Sequence, residues 1–362
     1  MARGNDGRPV PGPRGRGTGN DPANRFTRLS IEADYDGGEL PAERVATRFY
    51  ADGTRTALAR NDSPDVGFAV SLNPYRGCEH GCIYCYARPT HEYLGFSAGL
   101  DFETRIMVKE DAPELLRREL SARSWEPQTI ALSGVTDPYQ PVERRLEITR
   151  RCLAVLAEFG NPVAVITKNA LVRRDADLLG DLAGRGAAAV SISITTLDRE
   201  LQRRMEPRTS PPEKRLEAIA DLAARGIPVG VNVAPVVPGL TDHEIPAILA
   251  AAAEAGARSA HFVPVRLPGA VAPLFESWLE EHFPDRKQKV LARIRDLRGG
   301  RLNDPRFGSR MRGEGIFAEQ IAALFDAAAR RNGLDGDFAP LSTAAFRRPA
   351  APSPAGQLTL FG

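Results

Sequence analysis

The stretch "NPYRGCEHGCIYCYAR", residues 73–88, decides how the chain is read. It places three of the four cysteines, Cys78, Cys82 and Cys85, within one short segment. The spacing Cys-x3-Cys-x2-Cys admits a zinc knuckle, part of a disulfide, or an iron–sulfur cradle that leaves one iron open. Four cysteines in 362 residues do not make a disulfide scaffold, and in a reducing compartment clustered thiols more often hold a metal. Structural zinc prefers a closed set of four ligands, often two separated pairs. His80 within the loop and His91 beyond it keep a Cys3His site open, yet no second Cys-x2-Cys pair follows. Three thiolates on one loop suit three corners of a cuboidal [4Fe–4S] cluster, whose fourth iron is then free to bind a substrate-like molecule.

On either side of this loop the chain alternates short apolar runs with amphipathic stretches of helical period. The strand candidates are 68–73, 129–133, 163–167, 188–194, 228–233 and 260–265. Helix candidates lie near 111–122, 143–158, 175–185, 212–225 and 242–256. Start signals support several of these: Asp111 with Pro113 and Glu114, Pro212 with Glu213, and Asp242 with Glu244. Six strands with intervening helices imply an α/β fold with a parallel sheet curled into a partial (β/α)6, TIM-like barrel. The cysteines follow the first strand, and in such barrels the chemistry sits at the strands' C-terminal ends.

Composition sets wider limits. An apolar content of 42% suffices for a large core, and a formal charge of +2 neither requires nor excludes a nucleic-acid partner. The sequence shows no apolar leader near Met1 and no run long enough to span a bilayer, so a cytoplasmic enzyme without membrane contact is expected. Residues 1–25, rich in Gly, Pro and Arg, read as a disordered basic tail, and 26–66 as a wrapping segment. The core is expected over 67–270, a helical extension over 271–337, and a flexible, disordered tail over 338–362.

The motif "RGCEHGCIYCYA", with Tyr84 before the last cysteine, resembles the cluster loop of the radical S-adenosylmethionine (SAM) superfamily. The flanking "SGVTDPYQPVE", "ITKNALVRRD", "SISITTLD", "EPRTSPPEKRLEAI" and "VNVAPVVPGLTD" resemble the SplB-like subgroup, relatives of spore photoproduct lyase. The resemblance runs over roughly residues 65–270 and implies the radical SAM barrel. It implies a [4Fe–4S] cluster on Cys78, Cys82 and Cys85, with SAM chelated at the open iron and cleaved reductively to a 5′-deoxyadenosyl radical. An electron donor such as flavodoxin or ferredoxin is implied as a partner.

The strand-end residues supply the expected cofactor site. Tyr84 belongs to the cluster motif. Ser133, Thr136 and Asp137 follow the second strand, with Asp137 the best partner for the SAM ammonium, although an Asp-Pro turn explains the same residues. Lys168 ends the third strand and can neutralise the SAM carboxylate. Ser191 and Ser193 share one face of the fourth strand. Glu206 and Arg208 could clamp the cofactor or an anionic substrate, or form a surface ion pair. Asn232, with Pro235, resembles the adenine-side motif. Spore photoproduct lyases carry a hydrogen-donating cysteine ahead of their Thr-Ser-Asp sequence. Gly134 stands at that position here, and Cys152 reads as a buried structural thiol.

The C-terminal "GQLTLF" resembles the bacterial sliding-clamp-binding pentapeptide, through Gln357, Leu358, Leu360 and Phe361 around Thr359. Together these features point to a radical SAM enzyme acting on a nucleic-acid-linked substrate, as in DNA repair or base modification. Radical chemistry on a small molecule, peptide or RNA is the enzymatic alternative. A non-catalytic, nucleic-acid-associated iron–sulfur binding protein is the alternative of another class.

Overall fold

Strand β1 (Val70–Leu72) opens a parallel series that continues through β2 (Ile130–Leu132), β3 (Val163–Thr167), β4 (Ala188–Ser193), β5 (Val229–Val236) and β6 (Ser259–Pro264). The computed structural model describes residues 13, 15–22, 24–26 and 45–349. Within the sheet the spatial order follows the chain, β1 to β6, and Leu58–Arg60 adds an antiparallel edge beside β1. The two edges do not pair with each other, so the sheet is a partial barrel.

Helices α1 (Ala112–Ser121), α2 (Ile148–Phe159), α3 (Ala176–Ala183), α4 (Pro212–Ala224) and α5 (Ile245–Glu254) occupy the five successive crossovers. Strand alternation decides what each face carries. Val163 and Val165, Val190 and Ile192, and Val229, Val231 and Val233 join the core shared with the helices. The intervening Ile166, Ser191, Ser193 and Asn232 lie on the opposite face. Ile166 pairs in register with Ser191, and Ser193 with Asn232.

Three longer helices, α6 (Val271–His282), α7 (Pro284–Leu297) and α8 (Ile316–Arg331), follow the barrel, with a short helical turn, Ser309–Arg312, between the last two. A second core joins Val271, Phe275, Trp278 and Ile294 to Ile83 and Tyr84, so α6 and α7 brace the cysteine loop. α8 packs over the β6 edge, with the rings of Phe262 and Phe325 centred 4.6 Å apart. A separate small sheet of Arg48–Ala51, Arg105–Val108 and Tyr75–Arg76 backs the start of the same loop.

Several boundaries differ from the sequence expectations. The single helix expected over 143–158 breaks at Glu147, which adopts a left-handed φ of 51°. The break lets the buried Glu143 carboxylate accept from the Thr149 amide at 3.1 Å and so cap α2. The helix expected from 242 begins with a 3-10 turn, Asp242–Glu244.

The stretch expected as a disordered basic tail includes a docked segment, because the core offers it polar partners in place of apolar burial. The Gly17 amide donates to the Glu103 carboxylate at 2.9 Å, and Asp21 accepts from the Leu100 amide at 2.7 Å. Part of the expected flexible C-terminal tail docks likewise. The Ser342 amide donates to Gly186 and the Arg347 amide to Phe159, both at 2.8 Å, and Phe346 packs on Phe159. The pentapeptide Gln357–Phe361 lies outside the described residues.

Candidate active site at the strand ends

The cysteine loop is shaped by one buried cation. Arg88 is fully buried and donates to the carbonyls of Cys82 (3.0 Å), Gly81 (3.2 Å), Ala98 (3.3 Å) and Gly99 (2.9 Å). Its charge meets Glu103 at 2.6 Å, also fully buried. A buried guanidinium is tolerated when its donors are used and its charge is paired. Here those donors gather four backbone carbonyls around one side chain. Gly81 is required at the tightest point: its φ is +69°, and a Cβ would stand 2.6 Å from a Glu103 carboxylate oxygen.

The loop delivers all three thiols to one cavity of about 320 Å3 at the C-terminal ends of the strands. The cysteines are free thiols. Burial pushes the pKa of each one up, and at Cys78 the neighbouring Asp137 and Cys82 add to the rise. Such thiols become thiolates readily only beside a compensating positive charge, which bound iron supplies. Among the described residues, no group of three or more His, Cys, Asp or Glu closes around a single metal ion. The thiols line one cavity without forming a single-ion nest, and a cuboidal cluster offers a separate iron to each of three thiolates.

Of the residues expected at the cofactor, Tyr84, Ser133, Thr136, Asp137, Lys168, Ser193 and Asn232 line this cavity with the cysteines. Their availability differs. Asp137 is largely committed to shaping the wall: it accepts from Thr167 Oγ1 (2.7 Å), the Lys168 amide (2.8 Å) and the Tyr139 amide (2.8 Å), and faces His80 Nδ1 at 3.4 Å. Burial raises its pKa, but His80 and these donors outweigh it and hold the carboxyl below the ordinary aspartate value. Ser133 Oγ donates to the Thr136 carbonyl at 3.3 Å, and Thr136 Oγ1 to the Tyr75 carbonyl at 3.4 Å. By contrast, the side chains of Ser193 and Asn232 have no hydrogen-bond partner among the described residues. They face the cavity with unused polar capacity.

Three of the expected residues, Ser191, Glu206 and Arg208, are not among those that line the cavity. Ser191 shares the lumen face with Ser193, but it lies one pleat further down β4 and does not line the cavity. Glu206 sits behind the wall, fully buried, and takes hydrogen bonds from Arg215, the Tyr84 hydroxyl and Thr195 Oγ1 (2.7 Å), with Lys168 Nζ at 3.2 Å. Burial alone would raise its pKa, but the Arg215 and Lys168 charges overcome this and hold it far below the ordinary carboxylate range. Arg208 turns away and pairs with Glu79 at 3.1 Å beside a larger surface depression that contains no cysteine thiol. Glu206 therefore positions Tyr84 and Lys168, while Arg208 secures the loop's outer side.

Strand periodicity missed other members. His80, also 3.2 Å from Asn169 Nδ2, joins the loop to the third strand's end. Thr195 binds both Lys168 Nζ (3.2 Å) and Glu206. Tyr86 and Arg266 line the outer end of the cavity, where the Tyr86 hydroxyl donates to the Gly134 carbonyl. Arg266 follows β6 and was findable by the same strand-end reasoning that selected Lys168. Cys152 is fully buried in α2 and does not line the cavity.

Comparison with known proteins bears on the family and the fold. The radical SAM superfamily profile matches residues 72–252. An uncharacterized protein of Mycobacterium tuberculosis (strain ATCC 25618 / H37Rv) is 37% identical over 276 residues, spanning 75% of this chain and 77% of that protein. Spore photoproduct lyase of Bacillus subtilis is 28% identical over 192 residues, 51% of this chain and 50% of the lyase. A solved structure of spore photoproduct lyase complexed with dinucleoside spore photoproduct shares the fold, with a TM-score of 0.57 at 17% identity over 79% of this chain and 81% of that one. The chain belongs to the radical SAM superfamily.

Proposed function

We propose that this superfamily member cleaves SAM reductively at a [4Fe–4S] cluster held by Cys78, Cys82 and Cys85, and directs the resulting radical at a nucleic-acid-linked substrate. The observation that carries the reading is the meeting of three free thiols with the unspent Ser193 and Asn232 side chains in one cavity at the strand ends. Cys78, Cys82 and Cys85 would hold the cluster, which would supply the one electron that reductive cleavage of SAM to methionine and a 5′-deoxyadenosyl radical requires.

The chain's own residues bind, orient and shield. Lys168 Nζ is held by Thr195, the Ala234 carbonyl (2.7 Å) and Glu206, which fixes its charge at the cavity wall near the Tyr84 ring. Ser193 and Asn232 offer a hydroxyl and an amide to a polar cofactor from adjacent strands. The apolar remainder of the wall, including Ile166, Val263 and Val265, limits water at a reactive centre.

The strand-end motifs and the similarity to spore photoproduct lyase support the nucleic-acid-linked substrate class. Gly134 lines the cavity with a φ of +127° and brings no thiol. We therefore do not extend the lyases' cysteine-dependent hydrogen return to this chain. The test is anaerobic reconstitution with iron and sulfide, then dithionite and SAM. Wild type forms 5′-deoxyadenosine, and Cys78→Ala loses the product together with the cluster's visible absorbance. Absence of 5′-deoxyadenosine from wild-type protein with a full iron complement overturns the reading.

A further inference from the structure

The outer end of the cavity contains a cation that the cofactor site does not use. Arg266 lies two residues beyond β6, half-buried, and lines the same cavity as the cysteines. Its guanidinium carbon stands 4.7 Å from the centre of the Tyr86 ring. A cation–π contact of this kind engages the guanidinium's charge and does not consume its N–H donors. Among the described residues those donors have no hydrogen-bond or ion-pair partner.

Nearby arginines are engaged, although Arg298 Nε is buried without a partner among the described residues. Arg298 donates to the carbonyls of Pro264 (2.8 Å), Val265 (3.0 Å), Ser309 (3.2 Å) and Arg310 (2.8 Å). Arg310 pairs with Asp65, the acid that would otherwise be closest in effect to Arg266. Asp65 also accepts from the Gly308 amide at 2.6 Å. Burial depresses the Arg266 pKa, as expected for a guanidinium drawn partly out of water without a full counter-charge.

The surroundings narrow the ligand. Phe68, Val135 and Met311 line the same cavity as Tyr86 and Arg266. Apolar and aromatic walls with one unspent, forked cation suit a flat apolar group that carries an anion. Building on the nucleic-acid-linked reading above, we infer that Arg266 binds a backbone phosphate of the substrate, so that the substrate enters as a nucleotide unit of a single strand or unpaired segment and not as a free base, nucleoside or neutral peptide. The phosphate takes the guanidinium's free donors, while the attached base lies against the Tyr86 and Phe68 side of the cavity.

The test measures binding of fluorescein-labelled decathymidylate to the reconstituted protein in the presence of SAM. A matching oligomer with neutral methylphosphonate linkages serves as the second probe. Arg266→Gln is expected to weaken phosphodiester binding about tenfold, to leave methylphosphonate binding unchanged, and to reduce the slope of log K against log salt by about 0.7, the contribution of one phosphate on a single strand. Arg266→Lys retains the charge but not the fork, and is expected to fall between wild type and Arg266→Gln. Circular dichroism and iron content of both variants report on folding. Equal weakening of both probes, or no change in the phosphodiester slope, overturns the inference, as does failure of the wild type to bind the phosphodiester oligomer. Wild-type SAM cleavage without nucleic acid is scored separately, so failure here is distinguishable from failure of the radical SAM reading.

Discussion

Replacing Glu206 with glutamine separates a positioning residue from a cofactor ligand. The side chains of Glu206 and Arg215 are 0% and 1% exposed, and their ion pair is completed by Tyr84, Thr195 and Lys168. Removing one member of a buried pair leaves an uncompensated charge, at a cost of about 3–5 kcal/mol. Glutamine keeps an oxygen that can still accept from Tyr84 or Thr195, but its amide N–H groups oppose those of Arg215. Glu206→Gln is therefore expected to lose about 3–5 kcal/mol of folding stability. The assay is urea denaturation of the cluster-free protein, followed by fluorescence of Trp125 and Trp278, with stability taken from the midpoint and slope. In a double-mutant cycle, Glu206→Met combined with Arg215→Met should cost less than the sum of the single changes, since the orphaned charge is gone. A Glu206→Gln protein within about 1 kcal/mol of wild type, at unchanged slope, refutes the placement behind the wall. Loss of SAM affinity at wild-type stability would instead put Glu206 back at the cofactor.

Three other perturbations test the frame of the site. Burial holds His91 at about 4, aided by the charges of Arg105 and Arg88 and partly offset by backbone groups of Arg105 and Asp101. Because this folded value lies below the ordinary histidine value, His91 leaves stability intact above about pH 6.5 and erodes it as pH falls. The loss from this group is about 2 kcal/mol at pH 5, read as a steeper decline between pH 7 and 5 in wild type than in His91→Gln. Gly81→Ala is expected to cost at least about 1 kcal/mol through its left-handed backbone and the contact with Glu103, and to lower the iron bound on reconstitution; wild-type iron content would count against the described loop shape. For the tail, we propose that residues 357–362 bind a bacterial sliding clamp. Their deletion should abolish clamp capture in a pull-down without changing SAM cleavage, and unchanged capture refutes the assignment.

The barrel was legible because its signals are local. Each β-branched run is short enough to read as a strand, and its alternation separates a helix-facing row such as Val190 and Ile192 from a lumen row such as Ser191 and Ser193. The Cys-x3-Cys-x2-Cys spacing is equally local, and its position after β1 was enough to place it at the strand ends. Docked parts of the two expected tails were not legible. Residues 15–22 and 342–347 are ordered through particular hydrogen bonds to Glu103, Ser97, Gly186 and Phe159, and composition does not register such contacts.

Sequence alone thus determined the order of strands and helices and the clustering of the three thiols, since both follow from short-range periodicity and spacing. Only the tertiary structure decided which polar residues are free to act. Asp137 and Glu206 were both expected at the cofactor, yet one lines the cavity with its oxygens committed and the other lies behind it, locked to Arg215. Arg266 follows β6 much as Lys168 follows β3, but only the structure shows that its donors are unspent among the described residues. The physical reason is that a charge's role depends on whether its partners are already within hydrogen-bonding distance, and those partners come from distant segments, 122 residues apart for Tyr84 and Glu206 and 245 for Asp65 and Arg310.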